Sequence, residues 1–133
     1  MINKYFVIIG LAATLLMAGS NDLFVKHSLD EALSIGIAEG KGVLVKFHAD
    51  WCHFCNKMDR VTFADPGVQK AMEGYISIKV DIETKEGLAL ARKFGVTGLP
   101  TIVMFDKNGK KIYHQPGFHS AKQMEKVLNT RHG

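Results

Sequence analysis

The chain has 133 residues, 47% of them hydrophobic and 23% charged, which is the composition of one globular domain with a single core and too short for two. Its formal charge of +4 comes from 17 Lys and Arg against 13 Asp and Glu, scattered without a run of like sign, so a nucleic-acid or polybasic membrane surface is disfavoured. Three Pro, 13 Gly and 9% aromatics exclude disorder and collagen-like sequence, and no internal repeat is visible.

Met1 to Phe6 carries one cation, Lys4, and leads into the uncharged run Val7 to Ala18. That run has the length of a secretory signal core and falls short of the ~20 residues of a membrane span. Ala18-Gly19-Ser20 supplies small residues for cleavage, so residues 1–20 read as a signal peptide and 21–133 as the mature domain, with an uncleaved anchor as the alternative. Leu16 to Ser20 also resembles a bacterial lipoprotein box with Ser where the lipidated Cys would stand, so no lipid can be attached there. Either reading puts the domain outside the cytoplasm, where disulfides persist.

Ser28-Leu29-Asp30-Glu31 is a capping box, and Leu29, Ala32, Leu33 and Ile37 recur at helical spacing until Gly40 and Gly42. Val43 to His48 predicts a strand with Val43, Val45 and Phe47 on one face. A helix begins around Cys52 and takes in Asn56 to Arg60, and Asp65-Pro66 opens another that runs to about Gly74. Tyr75 to Asp81 alternates as a second strand, parallel to the first because helical sequence joins them, and Glu86 to Phe94 is a helix closed by Gly95. Thr101 to Phe105 and Lys110 to His114 flank an Asn108-Gly109 hairpin signal, and Ser120 to Gln123 caps a last helix with Met124, Val127 and Leu128 facing inward. The order predicts an α/β domain: a mixed four-stranded sheet with helices on both faces, with room for an extra edge strand.

Cys52 and Cys55 are the only cysteines, two residues apart at a strand-to-helix junction in a βαβ setting, which is a redox placement. The first cysteine meets the unsatisfied N–H groups of the helix start, which favour thiolate over thiol, so Cys52 reads as the nucleophile. Cys55, about one turn on, is positioned to resolve a mixed disulfide formed on Cys52. Three other readings compete. A structural disulfide would close too short a loop to stabilise much. A metal site would need two further ligands, with His48 or His53 as the neighbours at hand. The third is a binding or chaperone module that keeps the cysteines without turnover.

Ala49-Asp50-Trp51-Cys52-His53-Phe54-Cys55, followed by Gly98-Leu99-Pro100-Thr101, resembles the thioredoxin superfamily over Val43 to about Leu128. Within it, the run through Lys57 and then Thr62 to Val68 looks most like the C-terminal periplasmic domain of DsbD-type thiol reductases, a pattern that stand-alone exported thioredoxins share. The resemblance implies a thioredoxin fold and an exported thiol–disulfide oxidoreductase that reduces disulfides of other exported proteins, with no organic cofactor or metal. Its electron donor would be a membrane carrier of the DsbD or CcdA type. It implies a cis Leu99–Pro100 bond, with Pro100 and Leu99 pairing with a substrate backbone and Trp51 packed beside the disulfide. His53, in the variable dipeptide, would favour the thiolate if cationic. Oxidation or isomerisation of disulfides is the alternative within the enzyme class, since direction follows the redox potential and not the motif.

One position departs from the family. A buried Asp is usual six residues before the first cysteine, and this chain has Lys46 there, with Lys79 where thioredoxins carry a Lys facing that Asp. Two lysines sharing one neighbourhood repel unless one reaches solvent or loses its proton. Asp59 falls where the DsbD-like domain keeps a Glu and is the candidate partner for Lys46. A charged Lys46 near the sulfurs is expected to favour the Cys52 thiolate, so that Lys46→Asp would raise the Cys52 pKa and make the potential more negative.

Overall fold

The computed structural model describes residues 22–131, and the expected leader at 1–20 lies outside them. Helix α1 (Leu29–Glu39) starts with the predicted capping box, the Ser28 hydroxyl accepting the Glu31 N–H and the Glu31 carboxylate accepting the Ser28 N–H. It ends at Gly40, whose φ of 66° is the left-handed conformation that glycine adopts without a Cβ penalty. Strand β1 (Gly42–His48) follows, then α2 (His53–Lys57), a π-helical turn (Met58–Thr62) and α3 (Pro66–Met72), with Asp65 as cap and Pro66 at the first helical position. After them come β2 (Tyr75–Asp81), α4 (Lys85–Lys93), the hairpin strands β3 (Thr101–Phe105) and β4 (Lys111–Pro116), and α5 (Ala121–Thr130).

The sheet order is β2-β1-β3-β4, with β1 parallel to β2, antiparallel to β3, and β3 antiparallel to β4. No fifth strand is present among the described residues; the outer edge of β2 instead accepts one bond, from the Val25 N–H to the Ser77 carbonyl. Strand β1 is central and buried on both faces, as a strand covered by helices on each side must be. Val43, Val45 and Phe47 pack with Leu29, Ala32 and Ala91 from α1 and α4. Leu44 faces the other way, among Met58, Val68, Met124 and Leu128 of the π turn, α3 and α5.

Two expectations change. Ile37 is exposed, and the inner face of α1 at that level is given by Gly36, where a Cβ would lie 2.7 Å from the Lys41 carbonyl oxygen. The helix expected from Cys52 through Arg60 is α-helical only to Lys57 and then widens into the π turn, closed by the Phe63 N–H on the Met58 carbonyl at 3.0 Å. Such turns insert one residue and rotate the side chains that follow.

Candidate active site

The disulfide sits just beyond the C-terminal end of β1. After His48 the chain turns through Ala49 to Trp51, a turn closed by the Cys52 N–H on the Ala49 carbonyl at 3.1 Å and braced by the Asn56 amide on the Asp50 carbonyl at 2.9 Å. Cys52 is the N-cap of α2 with extended backbone, and its Sγ accepts the Cys55 N–H at 3.2 Å. Cys52 and Cys55 are joined as a disulfide with Cα atoms 5.2 Å apart. Both are buried, Cys52 at 6% exposure and Cys55 at 1%, so Cys52 is the residue nearer solvent.

In front of Cys52 lies an apolar groove of about 410 Å³, walled by Trp51, Phe54, Ile82, Leu88 and Leu99. Trp51 is not a core aromatic: it is 68% exposed, and its indole N–H donates to the Glu83 carboxylate at 2.7 Å, which fixes the ring at the groove mouth. His53 lines the same groove, edge to face with Phe54 at 5.5 Å. The Leu99–Pro100 bond is cis and Pro100 is buried, while Leu99 packs against the two cysteines. Pro100 has no N–H, and its carbonyl already accepts the Gly117 N–H at 2.7 Å.

Behind the disulfide the structure brings Lys46, Asp59 and Lys79 together. Lys46 is fully buried, and its Nζ donates to the Asp59 carboxylate at 2.6 Å and to the Cys55 carbonyl at 3.1 Å. The other Asp59 oxygen accepts Lys79 Nζ at 3.0 Å. Asp59 therefore lies between the two lysines, and the expected repulsion is relieved by a shared carboxylate, with Lys46 inside and Lys79 a third exposed. Burial pushes the Lys46 ammonium below its ordinary range while the Asp59 bond opposes that shift. For Asp59 burial alone would raise the carboxyl, but its hydrogen bonds and charge attraction to Lys46 and Lys79 outweigh it and leave the carboxyl lowered. His48, two residues along β1, is lowered by burial and by the Lys46 charge.

A fourth contact set was not visible in the sequence. The loop after β4 returns to the site through Gly117 and Phe118, whose ring lies 6.5 Å from Phe54 and 4.9 Å from the Lys57 ammonium. His119 anchors that loop. Its Nδ1–H donates to the Gly117 carbonyl at 3.0 Å, which leaves Nε2 to accept the Tyr113 hydroxyl at 2.8 Å, and its backbone carbonyl accepts the Thr62 hydroxyl at 2.5 Å. The signal was a lone His after Pro116-Gly117, and nothing in its spacing points back to Tyr113 or Thr62.

A vicinal cysteine pair at a helix start, beside a cis proline and an open apolar groove on this sheet, defines a thioredoxin-fold dithiol protein. The chain belongs to the thioredoxin-like family, whose domain model matches residues 29–132. It is 38% identical over 107 residues to the thiol:disulfide interchange protein DsbD of Cronobacter sakazakii, a match covering 77% of this chain and 18% of that protein. The chain thus corresponds to less than a fifth of that relative's length. Among solved structures, a thioredoxin from Thermus thermophilus superposes with a TM-score of 0.70 at 30% identity, covering 78% of this chain and 83% of that one. The oxidised C-terminal domain of DsbD from Neisseria meningitidis gives 0.65 at 29% identity, covering 77% and 91%.

Proposed function

We propose that the chain is an exported thiol–disulfide oxidoreductase that reduces disulfides in other exported proteins. In this reading Cys52 attacks the client disulfide, Cys55 resolves the mixed disulfide, and a membrane thiol carrier of the DsbD or CcdA type restores the dithiol. The observation that carries it is the asymmetry of the pair. Cys52 caps the helix at the groove edge and holds an N–H on its sulfur, while Cys55 lies beneath it. The N–H donor favours thiolate at Cys52, and the groove with Leu99 beside it suits an extended client segment that places its own sulfur over Cys52.

Turnover of a generic disulfide protein such as insulin, with dithiothreitol as reductant, tests the reading. The wild type accelerates reduction, Cys52→Ser falls to the uncatalysed rate, and Cys55→Ser accumulates mixed disulfides through Cys52. Equal rates for all three proteins would leave a binding module. The reverse direction has a specific observation in its favour, because the buried Lys46 ammonium near the disulfide favours the reduced, anionic form. A glutathione equilibrium separates the two: a potential near thioredoxin's, about −270 mV, fits a reductase, and one near about −120 mV fits an oxidase.

A further inference from the structure

Resolution of a mixed disulfide requires Cys55, at 1% exposure, to become an anion inside the protein. Burial opposes this, since desolvation penalises the thiolate. The N–H at the start of α2 does not help, because it points at Cys52 Sγ. A fully buried cation does lie against Cys55. Lys46 Nζ bonds the Cys55 carbonyl at 3.1 Å, a carbonyl that also accepts the Met58 N–H at the end of α2. The charged and titratable groups around Lys46 are Asp59 on the π turn, Lys79 on β2, and His48 on β1 with Asp81 paired to it across the sheet. Asp59 is shared between two lysines, so the Lys46–Asp59–Lys79 group keeps one positive charge in excess. Burial and the Lys46 charge hold His48 toward its neutral form.

We propose that Lys46 is a positioning residue of the resolving step, its ammonium fixed by Asp59 and by the Cys55 carbonyl so that Cys55 is stabilised as a thiolate. This rests on the exchange reading above. With a client sulfur on Cys52, the Cys55 thiol yields its proton to water and the thiolate attacks Cys52 Sγ. The Cys52–Cys55 bond forms as the bond from Cys52 to the client breaks. The client leaves as a thiolate with the electron pair and takes a proton from water, and the enzyme is left as the disulfide, two electrons more oxidised than the dithiol that made the first attack.

The test is a thiolate-absorbance titration of Cys55 in a Cys52→Ala background, where position 52 is uncharged as it is in the mixed disulfide. Adding Lys46→Met should raise the Cys55 midpoint by about one pKa unit or more, which is about tenfold less thiolate at neutral pH. Lys46→Arg, which keeps the charge, should hold the midpoint down. An unmoved midpoint in Lys46→Met overturns the proposal. Should that variant not fold, the Cys52→Ala protein decides alone. A midpoint at or below the ordinary thiol value of about 8.5 supports the inference, and one above it, as burial alone would give, overturns it. The titration needs no turnover, so a lowered midpoint in a chain that exchanges no disulfides sinks only the functional reading. Full exchange activity with an unmoved midpoint sinks only the role of Lys46.

Discussion

At the scale of single residues, the Lys46–Asp59 pair makes an uneven demand on its two members. Lys46 has no solvent to retreat to, whereas Asp59 is 32% exposed. Removing one member of a buried pair costs roughly 3–5 kcal/mol because the other charge is stranded, whereas replacing an ion with a well-packed apolar side chain is often neutral. Asp59→Asn should therefore destabilise by about 2–3 kcal/mol, reduced from that range by the partial exposure of Asp59. Lys46→Met should cost less, since Asp59 keeps Lys79. Urea unfolding midpoints check the order, and a larger loss for Lys46→Met would show that the ammonium is needed for packing. Cys52 and Cys55 were legible in the sequence because their spacing is local and they stand between a strand and a helix, whereas Pro100, far along the chain, was read from the family resemblance of Gly98 to Thr101. Strand alternation put Lys46 on the face opposite Val45, and its pairing with Asp59 was expected from the sequence; the π turn that carries Asp59 was not, because no propensity signals it. Trp51 stands at the groove mouth because its indole N–H finds Glu83 on a separate loop, a contact that its place beside Cys52 in the sequence did not signal.

At the scale of elements, helix starts and strand faces were read correctly where a side chain marks them. Ser28, Asp65 and Ser120 cap as expected, and β1 and β2 pair in parallel. What was less legible is how closely helices approach strands, because that is decided by the absence of a side chain. Gly87, in the first turn of α4, shows this: a Cβ there would lie 1.8 Å from the Asp81 carbonyl oxygen and 2.7 Å from its carbon. Both are backbone atoms at the end of β2, so the helix itself would have to move. Gly87→Ala is expected to cost about 3 kcal/mol, at the upper end of ordinary overpacking. The displacement should also disturb the groove, since Leu88 and Ala91 on the same helix line it. A lower melting temperature together with a KM raised more than kcat falls is the expected pattern. An unchanged melting temperature would mean that α4 has room to slide.

For the whole molecule, the pH range of stability follows from buried neutral groups. His119 is lowered from 6.5 by burial, with its Gly117 hydrogen bond opposing, so the folded state holds it neutral while the unfolded chain takes up a proton near 6.5. Its contribution is complete above 6.5 and is lost as pH falls from there through the lowered folded value, because protonation at Nε2 removes the acceptor for Tyr113. His48, also lowered from 6.5, acts in the same direction. Unfolding midpoints should therefore fall between pH 7.5 and pH 5 in the wild type and fall less steeply in His119→Gln. A slope unaltered by that substitution would assign the acid sensitivity to His48. The sequence order already implied a mixed sheet covered on both faces. The closure of the site by the segment from Gly117 to His119 could not be read, because it joins the end of β4 to Pro100 and Thr62 through three-dimensional contacts alone.

The Cys55 N–H already points at Cys52 Sγ while the two sulfurs are bonded. When that bond opens, negative charge develops on an atom whose donor is in place, and neither solvent nor backbone has to turn to meet it. Dipoles set in advance carry no reorganisation cost at the moment of reaction. The two oxidation states can therefore share nearly one backbone, and the electron pair moves through a frame that has no need to move with it.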